Sequence, residues 1–296
     1  MDDSIIQDVS DTAFMVAAYR AIESERSDAL FHDPVARKLA GSHGENIVRN
    51  LPRWARFGQW FVAIRTVIID ELIEAAIAQG ADAILNLGAG LDSRPYRMAL
   101  PKTLRWIEVD YPMMIELKEQ RLLGDEPLCH LEHVKLDLTG RLARQKLLAE
   151  IAGKSKKVLV LTEGVVPYLS TEEAASLADD LRAHGAFQYW IVDYLSDEAR
   201  RFRHRNVKSL KMQNAPFRFE PEDYFAFFSS HGWQAGEIRY LAEEAKRLNR
   251  PFRMPLLFAY WLHLKGLLSR REGGGAVLRF AAYLVLTPVK AVADLK

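Results

Sequence analysis

Cysteine is nearly absent from this chain: Cys129 is the only one in 296 residues. A lone thiol excludes an intrachain disulfide framework and any zinc site built from several cysteines. Charge of one sign is not in excess either, with 40 Lys+Arg against 39 Asp+Glu and a net charge of +1. That balance argues against a protein that grips nucleic acid by bulk electrostatics, leaving only a local basic groove open to one. Long apolar runs are missing too. Residues 254–268 are interrupted by His263 and Lys265, and residues 276–289 by Arg279, so both are short for a bilayer span of roughly 20 residues. The start, Met1-Asp2-Asp3-Ser4, is acidic and lacks the basic and apolar regions of a secretory signal. The expectation is a soluble cytoplasmic protein with no stable membrane span.

What is present is a globular composition, 49% hydrophobic and 27% charged, in two textures. The first eighty residues read as helical. Ser10-Asp11-Thr12 suits the cap of a helix running through Phe14, Val16, Ala17 and Ala18 towards Ile22, and Asp33-Pro34 predicts a second start with Pro34 at the first helical position. Residues 52–79 carry a longer pattern. In it Trp54, Phe57, Phe61, Ile64, Ile68 and Leu72 recur at steps of three and four, and Gly80 supplies the C′ residue. Beyond Gly80, short apolar runs at 83–87, 104–109, 133–136, 158–161 and 187–192 end in Gly88-Ala89-Gly90, Asp110, Asp137, Thr162-Glu163-Gly164 and Asp193. Helical stretches at 112–123, 139–151 and 171–184 separate them, the last with a capped start at Ser170. This alternation predicts an α/β fold whose parallel sheet is covered on both faces, with ligands bound beyond the carboxyl ends of the strands.

Residues 222–231 read as a helix, and 234–240 and 280–286 as two closing strands. A helical insertion joins those strands and contains the apolar stretch 256–268 and the break Gly273-Gly274-Gly275. No repeat or linker composition divides the chain. The expected organisation is one domain over 1–296, with a helical cap region at 1–80, a core at 81–240, an insertion at 241–278, and a closing strand and tail at 279–296.

The segment Asn86-Leu87-Gly88-Ala89-Gly90-Leu91-Asp92 is the most informative. A strand running into Gly-x-Gly can turn tightly and bring bare backbone against a ligand. Asp110 follows at the end of the next predicted strand, where an acid can accept hydrogen bonds from both hydroxyls of an adenosine ribose. A dinucleotide fingerprint would continue to a third glycine, but Ser93 stands there and Asp92 intrudes. A carboxylate beside a pyrophosphate is repulsive, whereas beside a sulfonium or an amino group it is favourable. S-adenosylmethionine therefore fits better than NAD. The same residues also describe a plain βα turn followed by a surface acid.

Three stretches carry a family resemblance. Asn86 through Arg94, followed by Tyr96-Arg97, resembles the first motif of the leucine carboxyl methyltransferase family. The stretch from Thr12-Ala13 through Arg20-Ala21-Ile22-Glu23 to Phe31-His32-Asp33-Pro34 resembles the N-terminal signature of its bacterial branch, as does Thr162-Glu163-Gly164-Val165-Val166-Pro167-Tyr168-Leu169. The resemblance implies a class I methyltransferase (Rossmann-like) fold: a seven-stranded sheet with an antiparallel last strand and an N-terminal helical cap. It implies that Arg65 grips the cofactor's methionine carboxylate, that Gly88 and Gly90 line the methionine and ribose portion, and that Asp110 binds the ribose. By the same resemblance Asp137 and Leu138 read adenine, Glu163 lies near the amino group, and Arg20 approaches the site. Without it, Arg65 would equally be a helix arginine paired with Asp70 or Glu71, and Asp137 and Glu163 strand-end caps or ion-pair members.

The expected activity is S-adenosylmethionine-dependent O-methylation of a small-molecule carboxylate or hydroxyl, a polyketide-type metabolite being the preferred class. A carboxylate acceptor is ionised at neutral pH and needs no base, whereas a hydroxyl would need one. No His–Asp dyad stands out for it and the catalytic residues stay unassigned: His204, in the basic stretch 200–205, and Tyr194 are candidates, but a solvated charged face explains that stretch better, and Arg20, Arg201 or Arg203 could anchor an acidic substrate. No metal is expected, and Cys129, His130 and His133 read as incidental. The alternatives are a protein C-terminal carboxyl methyltransferase, an NAD-dependent oxidoreductase and a non-catalytic cofactor-binding module.

Overall fold

Three helices precede the first strand, and a seven-stranded sheet follows. The structure, a computed structural model, describes residues 9–51, 57–197, 199–201, 217–250 and 279–289. The helices are α1 (Val9–Ser24), α2 (Ala36–Asn50) and α3 (Phe57–Ala78). Then come β1 (Ala83–Leu87), α4 (Arg94–Arg97), β2 (Arg105–Asp110), α5 (Pro112–Arg121), β3 (His130–Lys135), α6 (Arg141–Lys154) and β4 (Val158–Leu161). The chain continues through α7 (Thr171–Arg182), β5 (Phe187–Leu195), α8 (Tyr224–Ser230), β6 (Trp233–Tyr240), α9 (Leu241–Arg247) and β7 (Ala281–Pro288). The sheet order is β3-β2-β1-β4-β5-β7-β6, with β7 antiparallel to both of its neighbours. That is the class I methyltransferase arrangement.

Alternation along the strands sorts the core into two faces. Ala83, Leu85 and Leu87 of β1 meet Val158 and Val160 of β4 and the apolar sides of α6, α7 and α8. Ile84, Leu159, Leu161, Ile191 and Tyr283 point the other way, against Ile64, Ile68 and Leu72 of α3 and Leu241 of α9. The predicted α3 stripe is thus a core stripe, and Gly80 closes it at a φ of 90°. Trp54 lies outside the described residues, as does the side chain of Phe57. A third cluster, with Ala17, Ala18, Leu39, Ala40, Leu91 and Met114, seats α1 and α2 on the glycine loop and α5.

Several helix starts differ from the sequence reading. Ser10, Asp11 and Thr12 lie inside the first turn of α1, and Asp11 instead faces His43 of α2 at 2.7 Å. Pro34 precedes α2, whose N-cap is Val35. The reason is that the Asp33 carboxylate, the natural cap, is engaged by Arg20 and by the Ser93 hydroxyl. Helix α6 starts at Arg141 because Asp137 first takes the backbone and hydroxyl donors of Thr139 in a turn. Ser170 does cap α7, in a full capping box with Glu173.

Strand β3 begins at His130, where it pairs with Arg105 of β2. His133 is not incidental. It sits 3.4 Å from Glu108, which forms a fully buried 2.5 Å ion pair with Lys118 of α5. Of the expected insertion, α9 is seen, while 256–268 and Gly273-Gly274-Gly275 lie outside the described residues. Among the described residues no helix is long and apolar enough to cross a membrane.

Candidate functional site

Beyond the carboxyl ends of β1, β2, β4 and β5 the charged residues of the sequence motifs converge. The turn after β1 holds Gly88 at φ 68° and Gly90 at φ 49°, both in the left-handed region that favours glycine. Its amides at Gly88 and Ala89 bond the Val109 carbonyl of β2 at 2.8 and 3.2 Å. A Cβ on Gly88 would lie 2.5 Å from Val165 Cγ2, and one on Gly90 would lie 3.3 Å from the Ala13 Cβ of α1. The turn is therefore clasped between the cap and the loop after β4.

Asp110 is anchored to that turn. Its Oδ2 accepts from the Gly90 amide at 2.6 Å and its Oδ1 from the Tyr111 amide at 2.7 Å. Burial raises the carboxyl's pKa in spite of those two donors. Asp137 is exposed and Leu138 half-buried, and the Leu138 carbonyl accepts from Arg144 at 2.6 Å. The Tyr111 phenol, half exposed, is raised by burial and by the adjoining Asp137 and Asp110 carboxylates.

Arg65 does not pair with Asp70 or Glu71. Its Nε lies 2.7 Å from Glu163 Oε1, while Asp70 serves Arg94 and Arg97, and Glu71 serves Arg239 and Arg247. Arg94 is the hub, with Nε on Asp70 at 2.7 Å and Nη1 on both Asp92 and Glu163 at 2.8 Å. Burial would raise the Glu163 carboxyl, but Arg65 and Arg94 hold it below the usual range. Asp92, likewise buried, is held low by Arg94, Lys118 and Arg20. Arg20 joins the cap to this network through Asp33 at 2.9 Å and the Leu91 carbonyl at 2.5 Å. Of the predicted site residues, Arg20, Arg65, Gly88, Gly90, Asp110 and Glu163 thus border one region, while Asp137 and Leu138 flank it beyond β3.

Asp193, near the end of β5, is a further acid of the region. Burial pushes its carboxyl up to about 6, against the pull of Arg65 and the Gly164 amide, which donates to Oδ2 at 2.8 Å. The buried Tyr283 of β7 adjoins both Asp193 and Arg65. Sequence reasoning placed Asp193 at a strand end without a role and gave none to Arg94, Arg97, Asp33 or Tyr283. Arg94 and Arg97 stood inside a quoted motif and Asp193 repeated the pattern of strand-end acids, so those signals were available. Tyr283 carried none, because its place depends on which strand β7 joins. His204 and Arg203 lie outside the described residues.

Comparisons with known proteins bear on the family and the fold. The sequence model of the Leucine carboxyl methyltransferase family matches residues 13–182. A protein of Parafrankia sp. designated an S-adenosyl-L-methionine-dependent methyltransferase is 32% identical over 254 residues, covering 78% of either chain. One of the same designation from Streptomyces coelicolor is 30% identical over 254 residues, 81% of this chain and 88% of that one. Among solved structures, a protein of Thermobifida fusca designated a methyltransferase aligns at a TM-score of 0.54 with 15% identity, covering 98% of this chain and 97% of that one. That likeness bears on the fold.

Proposed function

This chain belongs to the leucine carboxyl methyltransferase family and is an S-adenosylmethionine-dependent methyltransferase, and from that premise we propose that it methylates an oxygen, carboxylate or hydroxyl, of a small molecule. The observation that supports the cofactor's location best is the joint between Asp110 and the Gly90 amide beside a turn with no room for a side chain at Gly88. The surrounding charges fit a ligand with one carboxylate, one ammonium, a sulfonium and a ribose diol. Arg65 would hold the carboxylate, since a guanidinium binds it through two donors, and Glu163 the ammonium. Asp110, though its oxygens accept backbone amides, retains lone pairs for the ribose hydroxyls. Gly88 and Gly90 would admit the methionine and ribose portion, Asp137 and Leu138 would meet adenine, and Arg20 would fix the cap over the loop.

When bound, S-adenosylmethionine supplies an electrophilic methyl carbon whose displacement leaves a neutral thioether. The protein's part is then alignment and exclusion of water, and proximity alone is worth several kcal/mol. The resemblance of residues 12–34 and 162–169 to the bacterial branch of the family supports a small acceptor over a protein tail. A panel of carboxylic acids and phenols with a labelled methyl donor tests this, and label transfer only to protein C-termini would refute it. Asp110→Ala should weaken S-adenosylmethionine binding by about 1–3 kcal/mol in a calorimetric titration. Unchanged affinity would remove Asp110 from the site.

A further inference from the structure

Arg65 faces more than Glu163. The pair is close at 2.7 Å, yet the buried Nε finds no well-aligned hydrogen bond among the described residues. The Tyr283 hydroxyl and the Asp193 carboxylate also adjoin it. Asp193 and Tyr283 are directly opposed partners of the antiparallel β5–β7 pair, so their side chains share one face of the sheet. The Tyr283 ring is set in the cluster with Ile64, Ile68 and Ile191, on the side covered by α3, which carries Arg65. A guanidinium has only donors and an ionised carboxylate only acceptors. A hydroxyl between them accepts from Arg65 and donates to Asp193, which fixes its direction. Asp193 is itself pinned by the Gly164 amide, next in the chain to Glu163. The contacts form a ring that runs Glu163, Arg65, Tyr283, Asp193, Gly164.

We propose that Tyr283 and Asp193 are positioning residues for the cofactor's methionine carboxylate, acting through Arg65. They give the guanidinium a second anchor besides Glu163, so that it presents two donors to the incoming carboxylate instead of folding wholly onto that glutamate. A long arginine side chain loses much rotamer freedom when it binds, and a group that holds it beforehand removes part of that cost. The inference rests on the reading of Arg65 given above.

The test compares two ligands, S-adenosylhomocysteine and 5′-methylthioadenosine, which share the nucleoside and the neutral sulfur but differ in the amino-acid end. Tyr283→Phe keeps the ring and removes only the hydroxyl, and Asp193→Asn keeps the shape and removes the charge. Each should weaken S-adenosylhomocysteine about tenfold by calorimetry and leave 5′-methylthioadenosine within about twofold, which also shows that the variant is folded. Arg65→Lys serves as the reference and should show the same split. If Arg65→Lys splits the ligands while Tyr283→Phe and Asp193→Asn weaken neither, or weaken both equally, the positioning role is overturned and the reading of Arg65 stands. If Arg65→Lys fails to split them, both fall.

Discussion

At the scale of the residue, Gly88 shows how closely the site is built. Its φ of 68° and the 2.5 Å approach of Val165 Cγ2 are separate obstacles to a side chain. Gly88→Ala should lose about 2–4 kcal/mol in urea unfolding, the sum of left-handed strain and overpacking. Adding Val165→Ala should return about half, because it relieves the contact and leaves the strain. Asp193 gives a pH-dependent case. Its folded value of about 6 lies above the ordinary 3.8, so the folded state holds the proton more tightly than the unfolded chain. Wild type therefore loses stability as pH rises from about 4 through 6, by at most about 3 kcal/mol. Asp193→Asn should lack that loss, and its stability relative to wild type should climb over the same window and then level off. A difference that stays constant from pH 4 to 7 would mean that Asp193 ionises normally. Glu163 and Asp92, held low, act in the opposite sense, and their contribution is lost on acidification below the ordinary carboxylate range.

At the scale of the element, helix α5 is fastened to β2 by the Lys118–Glu108 pair, both side chains wholly buried. Lys118→Met alone should cost about 3–5 kcal/mol, since it leaves Glu108 buried with His133, at 3.4 Å, as its remaining basic partner among the described residues. Lys118→Met with Glu108→Leu should recover most of that, measured by the same unfolding. This pair also marks where reading the sequence stops. All seven strands were legible, β1 and β4 most plainly because buried strands show as short apolar runs bounded by turn residues, β3 and β6 less so because they are only partly buried. Helix starts were less so. Asp33 is a good cap by composition, but a tertiary partner, Arg20, claimed its carboxylate. The individual site acids were likewise legible at the strand ends, whereas their pairing was not. That Glu163 belongs to Arg65 and Arg94, and Asp70 to Arg94 and Arg97, depends on how α3 crosses the sheet.

At the scale of the whole molecule, the cap and the sheet meet over the glycine loop through Leu91, Ala13 and the bonds from Arg20 to the Leu91 carbonyl and from the Ser93 hydroxyl to Asp33. A nucleoside held there should stabilise both together. S-adenosylhomocysteine at a hundred times its Kd should add about 2.7 kcal/mol and raise Tm by about 5 °C, while NAD at equal concentration should leave Tm unchanged. An equal shift with NAD would contradict the cofactor assignment. The sheet order has one more consequence. Among the described residues strand β7 comes last yet lies between β5 and β6, and β6 pairs with no other strand. During translation β5 must wait with one flank bare until residues 281–288 leave the ribosome, so a nascent chain stalled before that point would lack β7 and its Tyr283, leave the finished β6 without its partner, and offer chaperones an open β-edge.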